Sequence, residues 1–398
     1  MKILLADSLA PLLSSALEEA GDTLLIDSSL KGDSLLEAMK SFQPEVLVVR
    51  STKVERQHIE ENPSLSLIIR AGAGVNTIDL DAASQRGVFV ANCPGRNAIA
   101  VAELVMGHII NIDRRISDNI RDFDSGVWNK KGYSKATGLY GQTLAILGFG
   151  SIGKELAARA QAFGIHCKAW SRSLNKEEAQ QYNVTHCSSL EEAIDNSDII
   201  SVHLPSNAHT KHIINANIFS QMKSGATFIN SSRGDLVDET ALLTAIQEKD
   251  IKIGLDVFHN EPGSGDSSVS SPLQSNDNIY VTHHIGASTN QATESVGEAV
   301  LDIITTWKQD GLVLNCVNIA KQTAANSCLS VRHADKVGVL ASILEAVRAD
   351  GLNIQEMDNI IFQGGKAACA RIFLVGTPSS ELLNSLQENG DVFACSVS

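Results

Sequence analysis

At 398 residues the chain is too long for a single hydrophobic core and predicts two or three domains. Apolar residues make up 43% and charged residues 20%, the balance of an ordinary globular protein, and the net charge of −14 excludes a generally basic, nucleic-acid-binding surface. No run reaches the about 18 apolar residues of a membrane span, so no membrane partner is expected. Met1–Asp7 reads as a first strand rather than a signal peptide, and the seven cysteines, scattered and without a C-x-x-C pair, as free thiols. Together these features predict a cytoplasmic protein.

Residues 1–95 alternate strands (Lys2–Ala6, Thr23–Ile26, Val46–Val49, Leu67–Arg70, Phe89–Ala91) with helices (Ala10–Ala20, Leu35–Phe42), which predicts a small parallel α/β unit. A long helix is expected from Ala98 to about Arg115, then a loop over Ser125–Gly141. A second α/β unit has strands at Thr143–Leu147, His166–Trp170, Ile199–His203, Thr227–Asn230, Lys252–Val257 and Ile279–Thr282. Gly263–Ser271 reads as a flexible loop, Gln291–Trp307 as a helix and Ile319–Asn326 as a linker. The remainder has strands Cys328–Arg332, Asn353–Phe362, Lys366–Leu374 and Asp391–Val397 with helices Val339–Asp350 and Ser379–Asn389. That βαββαβ order describes a ferredoxin-like module.

Gly148-Phe149-Gly150-Ser151-Ile152-Gly153 joins an apolar strand to the helix-like stretch Lys154–Phe163, the setting of a dinucleotide-binding turn. Gly148 permits the turn, Gly150 lets backbone amides approach a pyrophosphate, and Gly153 lets helix and strand pack closely. The next strand ends at Ser171-Arg172, where an acidic residue would accept from the ribose of NAD. Arg172 suits a 2′-phosphate instead, so the expected cofactor is NAD or NADP.

Three segments stand at carboxyl ends of expected strands, where an open α/β sheet presents its ligand crevice: Asn230–Gly234, Gly254–Pro262 and Thr282–Thr289. Arg233 offers a planar fork for a carboxylate, His284 a proton acceptor and donor, and Glu261 a partner for the other imidazole nitrogen. No His/Asp/Glu spacing marks a metal site.

Taken together these motifs resemble the D-isomer-specific 2-hydroxyacid dehydrogenases over about residues 1–318. The resemblance implies that Arg233, Glu261 and His284 are catalytic, with His284 preferred over its neighbour His283 because it directly precedes Ile-Gly-Ala-Ser-Thr. It implies cofactor contacts from Gly148, Gly150, Ser151, Ile152, Gly153, Ser171, Arg172, Leu204, Pro205, Ser231, Ser232, Arg233, Asp256, His284, Gly286 and Ala287. The implied architecture is two Rossmann-like or flavodoxin-like α/β domains with crossing helices. A discontinuous substrate domain (1–97 and 285–318) would flank a nucleotide domain (98–284). A linker (319–327) and a C-terminal ferredoxin-like α+β domain (328–398) would follow.

Val49–Val54 and Ile69–Asn76 are similar to the substrate loops of the D-3-phosphoglycerate dehydrogenase branch of that family. The likeness implies substrate contacts from Arg50, Ser51, Arg70, Gly72, Ala73, Gly74, Asn97 and Lys130, and a phosphorylated 2-hydroxy acid as substrate. Lys130 matches a residue that reaches a neighbouring subunit, so a homo-oligomer, dimer or tetramer, is expected. Residues 330–340 and 351–354 resemble an ACT domain, with His333, Asp335 and Asn353 at positions that bind an L-serine effector in such enzymes. Rival readings are an NADPH-dependent hydroxypyruvate or glyoxylate reductase and a nucleotide-sensing, corepressor-like binding protein.

Overall fold

The computed structural model describes residues 1–259, 261 and 270–398. Most of the expected loop at 263–271, with Asn260 and Pro262, lies outside the described residues. The chain forms two compact units, Met1–Asn318 and Ile319–Ser398.

The first unit holds two parallel sheets. The N-terminal sheet is built from β1 (Lys2–Leu5), β2 (Thr23–Ile26), β3 (Val46–Val49), β4 (Leu67–Arg70) and β5 (Phe89–Asn92) in the order β2-β1-β3-β4-β5. That order is flavodoxin-like, with its topological switch beside β1 and β3. β3 is Val-Leu-Val-Val and fully buried, as expected of a parallel strand covered on both faces. The second sheet contains β6 (Thr143–Leu147), β7 (His166–Trp170), β8 (Thr185–His186), β9 (Ile199–Val202), β10 (Thr227–Asn230), β11 (Lys252–Leu255) and β12 (Ile279–Val281). Its order, β12-β11-β10-β9-β6-β7-β8, is that of a Rossmann fold with one further strand.

Two helices cross between these sheets. Helix Ala98–Arg114 leaves β5 but places Ala102, Val105, Met106, Ile109 and Ile112 in the core formed by β6 and helix Ser151–Ala162. Helix Asn290–Asp310 follows β12 and returns Ala299, Val300, Ile303 and Ile304 to the core of β1, β3 and β4. The return is pinned by Asn318, whose amide spans the edge strand: Oδ1 accepts from Val90 N and Nδ2 donates to Val88 O, each at 2.9 Å.

The expected loop at 125–141 contains a short helix, Lys130–Tyr133, because the Asn129 side chain accepts from Gly132 N and caps it. Helix Ile116–Asp124 was not evident in the sequence, nor was the two-residue β8. Arg115, at φ +52°, breaks the long helix and starts the next one.

The second unit is an antiparallel sheet of β13 (Ser327–Ala334), β14 (Asn353–Ile361), β15 (Ala367–Val375) and β16 (Val392–Val397) in the order β14-β15-β13-β16. Helices Val339–Ala349 and Ser380–Glu388 cover one face, burying Ile343, Val347, Leu382 and Leu386 against Leu329, Val331, Ile372 and Leu374. This is the expected βαββαβ module.

Candidate active site

In the first unit a single cleft is lined by the carboxyl ends of both parallel sheets. It brings together Arg50, Ser51, Arg70, Gly72, Ala73, Gly74, Asn97, Ile152, Leu204, Pro205, Ser231, Ser232, Arg233, Asp256, Glu261, His284, Gly286 and Ala287. These residues come from nine separate stretches of sequence, and convergence on one crevice follows from the two sheet topologies.

At the dinucleotide turn, Gly148 has φ +103°, and a Cβ there would sit 2.4 Å from the His203 carbonyl oxygen. A Cβ on Gly153 would meet the Gly148 carbonyl at the same distance, so each glycine is required by backbone approach. Helix Ser151–Ala162 begins at Gly150 without a side-chain cap, leaving its first-turn amides free to face a phosphate. Gly148, Gly150, Ser151 and Gly153 form this turn, with Ile152 reaching the cleft surface. Ser171 and the exposed Arg172 follow β7 directly, and the preceding residue Trp170 accepts from Gly148 N at 2.8 Å. Among the described residues Thr77 Oγ1, Asn97 Oδ1, His203 Nδ1 and Ser231 Oγ are buried without a hydrogen-bond partner, and all four residues line the cleft. Buried polar groups are otherwise satisfied in folded proteins. The turn, the uncapped helix and these atoms fit a nicotinamide dinucleotide.

His284 Nδ1 donates to Glu261 Oε2 at 2.6 Å, leaving Nε2 as the nitrogen for chemistry. Glu261 Oε1 accepts from Phe258 N at 3.0 Å. Burial raises the Glu261 carboxyl, but His284, the Phe258 amide and the charge of Arg233 outweigh it, and the group titrates below the usual carboxylate range. His284 itself sits at φ +52°, a left-handed backbone that costs a non-glycine residue of order 1 kcal/mol. Asp256, 1% exposed, holds the loop in this shape: its main chain accepts from His284 N, and its carboxylate from Ile285 N at 2.8 Å and Gly286 N at 2.9 Å. Its Oδ2 keeps a lone pair for a further donor, so this scaffold role is compatible with a cofactor contact.

Arg233 lies after β10 with Nη1 on Ser232 O at 2.6 Å. A Cβ on Gly74 would stand 2.7 Å from Arg233 Nη2, so the glycine-rich loop after β4 lets that guanidinium lie against it. Arg70 Nε donates to Arg50 O at 3.1 Å, and Arg50 Nη2 reaches Ala287 O at 3.4 Å. Burial and the charges of Arg233 and Arg50 push Arg70 down to about 10. Among the described residues none of these three arginines forms a direct ion pair. The loop bearing Arg50 is set by Asp7, whose Oδ2 accepts from the backbone N–H groups of Arg50, Ser51 and Thr52 at 2.6, 3.0 and 3.0 Å. Asp7 escaped notice in the sequence, although it stands where β1 ends on the ligand side of the sheet.

The expectation for Lys130 is a contact to a neighbouring subunit, and that for His333, Asp335 and Asn353 an effector site of their own. Lys130 is exposed on its short helix, outside the residues that line the cleft. In the second unit His333 is 2% exposed, with Nδ1 on Ala334 O at 2.8 Å and Nε2 3.3 Å from Asn359 Oδ1. His333 pairs with Ala368 at one end of β15, whereas Asn353 pairs with Val375 at the other. Seven residues of strand separate them by about 24 Å, so within one module the expected effector residues form no common site.

Comparison with known proteins places the first unit. The sequence profile of the D-isomer specific 2-hydroxyacid dehydrogenase NAD-binding domain matches residues 106–286. A hydroxypyruvate reductase from Thermotoga maritima is 38% identical over 277 residues, covering 69% of this chain and 88% of that protein. The chain belongs to the D-isomer-specific 2-hydroxyacid dehydrogenase family. Within it, a D-3-phosphoglycerate dehydrogenase from Methanocaldococcus jannaschii is 37% identical over 321 residues, 80% of this chain. The chain spans about 60% of that relative's length. A NAD⁺-bound 3-phosphoglycerate dehydrogenase structure from Entamoeba histolytica superposes with a TM-score of 0.67 at 26% identity, covering 80% of this chain and 99% of that one. For a D-2-hydroxyacid dehydrogenase, NAD or NADP is the cofactor that the turn at Gly148 serves. Among the described residues no helix is long and apolar enough to cross a membrane.

Proposed function

We propose that the chain is a D-3-phosphoglycerate dehydrogenase, oxidising the C2 hydroxyl of 3-phosphoglycerate to 3-phosphohydroxypyruvate with NAD or NADP, the entry reaction of L-serine synthesis. The observation that carries this reading is the meeting of Arg50, Arg70 and Arg233 beside the His284–Glu261 pair, with no direct carboxylate partner among the described residues. Three guanidinium groups in one crevice suit a substrate bearing both a carboxylate and a phosphate.

Arg233 binds the carboxylate and polarises the oxygen on C2. His284 Nε2 takes the hydroxyl proton as C2 loses hydride, and Glu261 holds the ring through Nδ1–H and favours the imidazolium that results. The bound nicotinamide supplies the hydride acceptor. In reduction His284 returns the proton. Arg50 and Arg70 take the phosphate, and the backbone of Gly72–Gly74 helps to seat the carboxylate.

The second reading is a hydroxypyruvate reductase, favoured by the 88% coverage of the Thermotoga relative. It needs the same trio but no phosphate site. Comparing kcat/KM for 3-phosphohydroxypyruvate and hydroxypyruvate separates them: preference for the phosphorylated acid is expected, and equal or reversed preference removes the leading reading.

A homo-oligomer is part of this proposal. Helix Ile116–Asp124 leaves Ile116, Ile120 and Phe123 exposed at helical spacing, followed by Trp128 at 81% exposure. Such a stripe on one helix supports burial against a second copy. An L-serine site from His333, Asp335 and Asn353 likewise requires two modules, because the residues stand at opposite ends of one sheet. Calorimetric titration with L-serine tests it: no heat and no change in rate removes the regulatory reading.

A further inference from the structure

We propose that Thr282 is a positioning residue for His284, acting through Asp256 with His108 behind it; the inference rests on the catalytic reading of His284. Residues 282–286 are tied to residues 255–256 by five hydrogen bonds. Thr282 N donates to Leu255 O, His284 N to Asp256 O, Ile285 N and Gly286 N to the Asp256 carboxylate, and Thr282 Oγ1 to Asp256 Oδ1 at 2.6 Å. The last is the one side-chain donor in the set. It is also the one with a further partner, because His108 Nε2 lies 3.1 Å from Thr282 Oγ1.

The directions of these bonds are fixed by elementary chemistry. An ionised carboxylate only accepts, so the threonine hydroxyl hydrogen points to Asp256. Its oxygen then accepts from His108 Nε2–H. Burial pushes His108 below its usual range despite the charge of Asp256, which keeps the ring neutral. The result is a buried chain, His108 to Thr282 to Asp256, running from crossing helix Ala98–Arg114 to the loop bearing His284. Room for it is provided by Gly254 on β11, where a Cβ would lie 3.2 Å from His108 Cβ, and by Gly286, where one would lie 3.0 Å from Asp256 Oδ2.

Its function follows from the backbone of His284. A left-handed histidine persists only where its surroundings over-determine it. Asp256 supplies that constraint, and Thr282 sets the rotamer in which both carboxylate oxygens meet the loop amides. Removing the hydroxyl takes away one of the three hydrogen bonds that hold the Asp256 carboxylate, which loosens the loop and with it the distance of the imidazole from substrate.

The experiment compares Thr282→Val and Thr282→Ser in the full chain. Valine keeps the shape and removes the hydroxyl. It is expected to lower kcat about tenfold or more, as loss of a buried hydrogen bond to a charged group does, with KM for substrate and cofactor within about twofold of wild type. Serine restores kcat. His108→Leu is expected to act in the same direction more weakly, and His108→Gln, which keeps a donor near Nε2, to retain activity. Amide hydrogen exchange at Ile285 and Gly286 should quicken in Thr282→Val and not in Thr282→Ser. A wild-type kcat in the valine variant, no rescue by serine, or unchanged exchange overturns the proposal. Wild-type protein that turns over no 2-oxo acid with either cofactor overturns the catalytic reading instead, and the exchange measurement still judges the loop.

Discussion

His284 Nδ1 and Glu261 Oε2 stand 2.6 Å apart although 23 positions separate them in sequence, because β11 and β12 are adjacent parallel strands that end on the same side of the sheet. This contact turns an ordinary imidazole into an oriented one. Replacing His284 by Ala removes the proposed proton acceptor and should lower kcat by about 10²–10⁴-fold. Glu261→Gln keeps the side-chain size but removes the charge, and should lower kcat less than His284→Ala. Steady-state kinetics in both directions check this: a His284→Ala enzyme with near wild-type kcat sinks the assignment.

Arg70 is held among like charges, and burial with Arg233 and Arg50 brings it down to about 10. That arrangement opposes folding and favours an anionic ligand. Arg70→Met retains the aliphatic stem. It should cut kcat/KM for 3-phosphohydroxypyruvate by about 10- to 100-fold while leaving hydroxypyruvate reduction little changed. Its Tm should stay level or rise. Equal losses on both substrates would mean that Arg70 does not meet the phosphate.

Much of this architecture was legible because parallel strands buried on both faces read as continuous apolar runs. β3, β4, β6 and β10 are such strands and lie where the sequence places them. Arg233, Glu261 and His284 were legible because each follows such a strand. Helix Ile116–Asp124 was not, since its apolar residues are exposed and no core periodicity continues from the preceding helix. Asp7 and Thr282 were missed for a different reason. They touch backbone amides and a carboxylate from distant segments, and such partners carry no local pattern. The separation of His333 from Asn353 depends on which ends of β13 and β14 meet β15, a register that residue identity alone does not reveal.

His203 gives the fold a pH dependence of predictable sign. Although part of the residue is exposed, its Nδ1 is sealed off, and burial brings the ring down to about 4. In the unfolded chain it binds a proton below about 6.5. Between about 6.5 and 4 the unfolded state therefore holds more protons, and stability falls as pH drops through that window. His108, also lowered by burial, acts in the same direction. Tm measured from pH 7.5 to pH 4.5 should decline, and His203→Gln should flatten the decline. Identical slopes for variant and wild type would show that His203 is not the group responsible.

Arg172 is the residue through which we propose that the cofactor is chosen. It follows β7 beside the turn that begins at Gly148, where a carboxylate would accept from a ribose hydroxyl. It is exposed and, among the described residues, forms no ion pair, so its charge is available to a 2′-phosphate. Arg172→Ala should raise KM for NADPH about tenfold, the scale of one charge-assisted contact, and leave KM for NADH nearly unchanged. Ser171→Asp should act further in the same direction, because its carboxylate would repel the phosphate while accepting from the free hydroxyl of NADH. If Arg172→Ala leaves the ratio of the two constants untouched, the side chain does not reach the ribose.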